Sequence, residues 1–154
     1  MKRLGRDHHV FVLDPENEPA IYVDSGEELM VETWDAFLGE RDAEKLDAQA
    51  LKAPASGPIY VNGAKPGDAI RVDFHSITPV WDAAHMVLPS RGFLSEEFTD
   101  AYSTVMSIED GHVVLPGGTR LRTSPSMGFV ATTPTYPQST ASDSGPYGGD
   151  IDMK

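Results

Sequence analysis

Apolar positions in this chain come in short, largely β-branched runs, separated by glycines, prolines and acidic residues. That is the pattern of strands and turns. Residues 25–40, SGEELMVETWDAFLGE, organise the rest. Leu29 and Val31 alternate with Met30 and Glu32, which predicts a two-faced strand that turns at Asp35 and stops at Gly39. Upstream, residues 7–13 predict a strand apolar on both faces, and residues 20–24 a second short one. Downstream, Ile59, Tyr60 and Val61 form a strand followed by two turn signals, Asn62-Gly63 and Lys65-Pro66-Gly67-Asp68. Residues 69–74 then alternate, with Ile70, Val72 and Phe74 on one face and Arg71 and Asp73 on the other. Residues 81–98 carry little periodicity. Residues 99–109 predict a strand, Asp110-Gly111 a hairpin turn, and residues 113–115 the return, broken at Pro116-Gly117-Gly118. Residues 119–123 alternate weakly around Leu121, and residues 126–131 form a last apolar strand. Only residues 40–52 have helical composition. Their apolar face, Leu46, Ala50 and Leu51, is thin, so they form a short helix or an excursion ended by Pro54. The expected fold is all-β with one short helix. A β-rich domain spans 1–131, and a Gly/Pro/Ser-rich acidic tail spans 132–154.

Length adds that one core is feasible in 154 residues. The net charge of -12 repels phosphate backbones, so nucleic acid is not an expected partner. The absence of cysteine removes disulfides, thiolate nucleophiles and thiolate metal sites. Any metal must be held by oxygen or imidazole. The basic N-terminal run is too short in apolar residues for a signal peptide, and no stretch reaches membrane-span length. The expectation is a soluble, cytoplasmic protein.

Candidate chemistry starts at Glu32 and Asp35, which flank Trp34. Acids at the end of an apolar strand lose solvation unless a cation or donors meet them. Alternatively, Glu32 faces solvent and Asp35 caps a short turn. His8 and His9 stand at a strand entrance, and His75 follows another strand; each is a metal ligand or ordinary polar surface. In the tail, Gly145, Gly148 and Gly149 crowd Tyr147, and Asp150 and Asp152 share one face of an extended segment, so they could share a cation. The other reading is a flexible acidic end. Gly57, Gly63, Gly67, Gly148 and Gly149 are expected turn positions. Trp34 and Trp81 could stack on sugar, but lone tryptophans are more often core.

Four of these tracts together resemble the acetamidase/formamidase family. They are VDSGEELMVETWDAF, PASGPIYVNGAKPGDAIRVD, the proline- and glycine-bounded residues 114–133, and GPYGGDIDM. The resemblance implies a β-rich, sandwich-like architecture and hydrolysis of small amides such as formamide or acetamide. It also implies a divalent cation, zinc or calcium. The family's signature histidine falls at Tyr147 and its asparagine at Asp150. The likeness covers an N-terminal half only. That implies one subunit of a split enzyme with a second polypeptide as partner, a processed or truncated product, or a chain without activity. On the first reading Asp150, Asp152, His75 or His9 would hold metal. Glu32 or Asp35 would serve as base and then acid if burial raises its pKa, and Tyr147 would donate to the oxyanion. The competing class is a non-catalytic structural or regulatory β subunit. A calcium-binding module built on the acidic tail is a further alternative.

Overall fold

The computed structural model describes residues 1–47, 53–89, 91–137, 141 and 145–150. The chain forms two compact units that interleave in sequence. The first comprises Met1–Leu38, Lys52–Asp73 and Gly128–Lys154, and the second Gly39–Leu51 and Phe74–Met127.

The first unit is built from paired short strands. β1 (Lys2–Leu4) runs parallel to β4 (Leu29–Val31), with Arg3 opposite Met30 and Leu4 opposite Val31. β2 (His9–Val10) is antiparallel to β5 (Ala55–Ser56). β3 (Ile21–Val23) is parallel to β6 (Ile59–Val61). β12 (Phe129–Ala131) is antiparallel to β13 (Gly148–Asp150). Leu4 and Val23 are its buried apolar strand residues, joined by Ala141, whose amide donates to the Phe11 carbonyl.

In the second unit, β7 (Ala83–Val87) and β8 (Tyr102–Met106) pair antiparallel along all five residues. β9 (Ile108–Glu109), β10 (His112–Val114) and β11 (Arg120–Arg122) form an antiparallel sheet with β10 in the centre. Asp110 and Gly111, both at positive φ, make the expected hairpin turn between β9 and β10. Ala43 and Leu88 are buried in this unit.

The fold class is all-β, and three sequence expectations need correction. First, residues 40–52 do not make an α-helix among their described positions. Ala43–Lys45 form a single 3-10 turn with the Asp42 side chain capping the Glu44 amide, and Leu46 is already extended. A thin apolar face gives such a segment little to bury, so it does not propagate. Residues 48–52 lie outside the described residues. Second, residues 7–13 contribute only His9–Val10 to a sheet. The Phe11 carbonyl accepts from Ala141, and the Val12 carbonyl accepts from the Asn17 side chain, so neither enters a ladder. Third, residues 69–74, expected as a strand, form no strand pairing among the described residues. Ile70, Val72 and Phe74 stay 43%, 49% and 47% exposed. Conversely, β7 arises where alternation was weak. Its Ala-Ala-His-Met-Val sequence is half-buried at four of five positions, so no polar face marks it.

Candidate functional site

In the first unit, Glu32 lies just past β4 on the same face as Met30, because side chains two apart share a face. Arg3 sits opposite Met30 across the β1–β4 pair, which brings its guanidinium onto the Glu32 carboxylate. The Arg6 Nε lies 3.9 Å from the other Glu32 oxygen. The Glu32 backbone is fixed as well. Its amide donates to the Leu4 carbonyl (2.9 Å), and its carbonyl accepts from the Ser56 hydroxyl (3.4 Å). The Arg3 hydrogen bond, above all, holds the Glu32 carboxyl below its ordinary value. Burial opposes this, while a backbone hydrogen bond from Arg6 and the charges of both arginines assist it. At Glu32 the Arg3 hydrogen bond outweighs the upward push of burial.

Arg6 links three candidates. Its guanidinium carbon stands 5.1 Å from the Trp34 ring centroid, a cation–π contact of about 0.5–1 kcal/mol at a partly exposed site. Its backbone carbonyl meets His9 Nδ1 at 2.9 Å. A carbonyl can only accept, so Nδ1 carries the proton and the neutral ring presents its lone pair at Nε2. Phe11 packs edge-on against the same imidazole, 5.2 Å between centroids. Asp35 folds its own turn. Its Oδ1 accepts from the Phe37 amide (2.8 Å) and its carbonyl from the Leu38 amide (3.2 Å), with Leu38 and Gly39 at positive φ.

Tyr147 occupies the tip of a tight hairpin. Gly145 and Gly148 exchange both backbone hydrogen bonds around Pro146-Tyr147, at 2.9 and 3.1 Å. The Tyr147 carbonyl accepts from the Thr132 amide (2.7 Å) and hydroxyl (3.0 Å). A Cβ on Gly145 would collide with the Tyr147 ring, so glycine lets the half-buried ring lie against the backbone. Asp150 pairs in register with Phe129, and Asp152 lies outside the described residues. All five expected turn glycines, Gly57, Gly63, Gly67, Gly148 and Gly149, have positive φ. His75 belongs to the second unit and is exposed.

Among the described residues, no three His, Asp or Glu groups gather as a metal site. Those residues on their own would thus supply only part of a ligand set for a divalent ion, His9 offering its imidazole. Sequence reasoning missed Arg3, Arg6 and Thr132. The basic spacing of Arg3 and Arg6 was visible, but their target lies across a parallel pairing between distant segments.

A model of the Acetamidase/Formamidase family matches residues 8–141. The chain belongs to this family. Solved structures agree. A predicted acetamidase/formamidase from Thermoanaerobacter tengcongensis is 34% identical, with a TM-score of 0.88. An acetamidase from Bacillus halodurans is 29% identical, with a TM-score of 0.79. An acetamidase from Yersinia enterocolitica, 17% identical with a TM-score of 0.75, shares the fold. A search of curated proteins gives no match. These structures cover 98%, 97% and 99% of this acetamidase/formamidase-family chain, respectively, whereas the chain covers 52% of each of theirs. It spans about half the length of the relatives it matches. Among the described residues no helix is long and apolar enough to cross a membrane.

Proposed function

We propose that this chain takes part in hydrolysis of the C–N bond of small aliphatic amides, as one half of a catalytic unit completed by a second polypeptide. The observation that carries this reading is the family match together with the 34% identical structure that covers 98% of the chain. In the reaction, water adds to the amide carbonyl, the C–N bond breaks, and carboxylate and ammonia leave. Asp35 is the better base candidate in this proposal. Glu32 is held ionised by Arg3, so it is a weak proton carrier near neutral pH and serves as a fixed acceptor. Tyr147, anchored through Thr132, would donate its phenol hydrogen to the developing oxyanion.

A divalent ion, zinc or calcium, belongs to the same proposal. It would supply Lewis-acid polarisation of the carbonyl. His9, through Nε2, would be this chain's imidazole contribution, and Asp150 and Asp152 its acids. The remaining ligands would come from outside the described residues. His75 is the alternative imidazole.

The test is ammonia release from formamide and acetamide by the complex purified from its source, with metal content read on the same sample. Asp35→Asn should lower kcat by roughly 10²–10⁴, and Tyr147→Phe by roughly 10²–10³. No release from either amide would move the chain to a non-catalytic structural or regulatory role.

A further inference from the structure

We propose that Asn62 is a self-modification site. The Gly63 amide nitrogen attacks the Asn62 side-chain carbonyl, and the asparagine becomes aspartate and isoaspartate without an enzyme.

Asn62 and Gly63 are the central residues of a turn closed by the Ala64 amide on the Val61 carbonyl, at 3.2 Å. Both are exposed, and Gly63 sits at φ +83° with open space where a Cβ would stand. Three features favour attack here. Gly63 has no side chain to block the approach of its nitrogen to the Asn62 Cγ. Its N–H has no hydrogen-bond partner among the described residues, so nothing in the fold holds the proton that must leave. Nothing packs over Gly63, so the turn can open locally and bring the two atoms into line. The chain contains one other asparagine, Asn17, and it lacks this setting. Glu18 follows it, with a side chain in the way, and its amide group donates to the Val12 carbonyl at 2.8 Å in a part-buried position.

The atoms balance. The bond from Gly63 N to Asn62 Cγ forms as the Cγ–Nδ2 bond breaks, and the amide proton leaves with ammonia, giving a cyclic succinimide. Water then opens the ring at either carbonyl. One opening gives aspartate. The other gives isoaspartate, in which the main chain runs through Cβ.

The position makes the change consequential. The Asn62 amide donates to the Val23 carbonyl at 2.7 Å, and its Nδ2 donates to Asp24 Oδ1 at 2.8 Å. These bonds tie the end of β6 to the end of β3. The Asp24 bond also holds the Asn62 side chain, so it acts as a brake on the attack. Asp24 is itself fixed, its amide donating to Glu27, which pairs with Lys2. After the reaction the Nδ2 donor is gone and a second carboxylate faces Asp24. Two ionised carboxylates only accept, and like charges repel. The link that closes the β3–β6 pair becomes one that loosens it.

The experiment holds the protein purified from its source at mildly alkaline pH and maps its peptides by mass spectrometry over time. The Asn62 peptide should gain one dalton and split chromatographically into aspartate and isoaspartate forms, while the Asn17 peptide keeps its mass. Gly63→Ala should suppress the conversion. Asp24→Ala should speed it about two- to tenfold, the worth of one hydrogen bond. Asn62→Asp reproduces the aspartate product and should lower the melting temperature by about 2–4 °C near neutral pH. An Asn62 peptide that keeps its mass, equal gains at Asn17 and Asn62, or Gly63→Ala converting as fast as wild type would overturn the site. Slower conversion in Asp24→Ala would overturn the brake, and an unmoved melting temperature in Asn62→Asp would overturn the loosening. None of these readouts depends on the amidase reading.

Discussion

Glu32 is 27% exposed and stands between two guanidinium groups, and Arg3 is the stronger influence on its charge. Its folded pKa lies below the ordinary value of 4.5, as do those of Glu27, through Lys2, and Glu40, through the Asp42 and Arg41 amides. A depressed carboxyl pKa means the native state binds the proton more weakly than the unfolded chain. The resulting stability is complete above the unfolded value and is lost as pH falls from about 4.5 through the folded value. Replacing Arg3 with Met should raise the Glu32 carboxyl toward 4.5, as read by ¹³C titration of that side chain. An unmoved midpoint would mean that Arg3 does not set it. Two glycines make a contrasting pair. Gly63 has φ +83° with open space where a Cβ would go, so Gly63→Ala should cost only the left-handed backbone penalty, about 1 kcal/mol. Gly148 has φ +117°, and its Cβ would meet the Val130 carbonyl at 2.5 Å. Gly148→Ala should therefore cost more, about 2–3 kcal/mol, because the β12–β13 pair must also shift. Urea denaturation of both variants checks the order, and equal losses would show that the hairpin yields freely.

Among the elements, the Gly145–Gly148 hairpin depends on its tie to β12. Thr132 holds the Tyr147 carbonyl with both its amide and its hydroxyl. Thr132→Val keeps the size and the amide but removes the hydroxyl donor, so it should cost about 0.5–1 kcal/mol. If Tyr147 acts on substrate, the variant should also lower kcat more than it raises KM. A rise in KM alone would mean the hairpin only helps binding. This element also shows what sequence could and could not reveal. The crowding of glycines around Tyr147 was visible because a tight turn leaves a residue-type signature. The pairing with Phe129, Val130 and Ala131 was not, since two strands separated along the chain leave no local trace of their register. The same holds at β1. Lys2, Arg3 and Leu4 were read as a basic terminus, yet they form a strand because β4 offers a parallel edge and Leu4 a buried position. At residues 69–74 the sequence alternation was visible, but a strand also needs a neighbour, and none pairs there among the described residues. Along 40–47 helical composition lost to the lack of an apolar face, leaving one 3-10 turn.

On the scale of the whole molecule, stability and assembly are one question. Leu4, Val23, Ala43, Leu88 and Ala141 are the buried apolar residues among those described, and only Leu4 is a large side chain almost wholly removed from water. Against them stand many exposed large apolar residues, including Tyr22, Ile59, Tyr60, Ile70 and Val72 in the first unit. Burying apolar surface supplies about 25 cal/mol per Å², so a chain that leaves this much in solvent forgoes a large part of its folding free energy. A partner that covers it and binds only the folded state must stabilise it by mass action. At a partner concentration of 100 Kd the gain is about 2.7 kcal/mol. For a chain of this length that should raise the melting temperature by about 5–10 °C. The shift should grow with the logarithm of partner concentration, as read by differential scanning fluorimetry on chain titrated with the proposed second polypeptide. A melting temperature that ignores the partner would mean the exposed apolar surface is not where the missing stability resides.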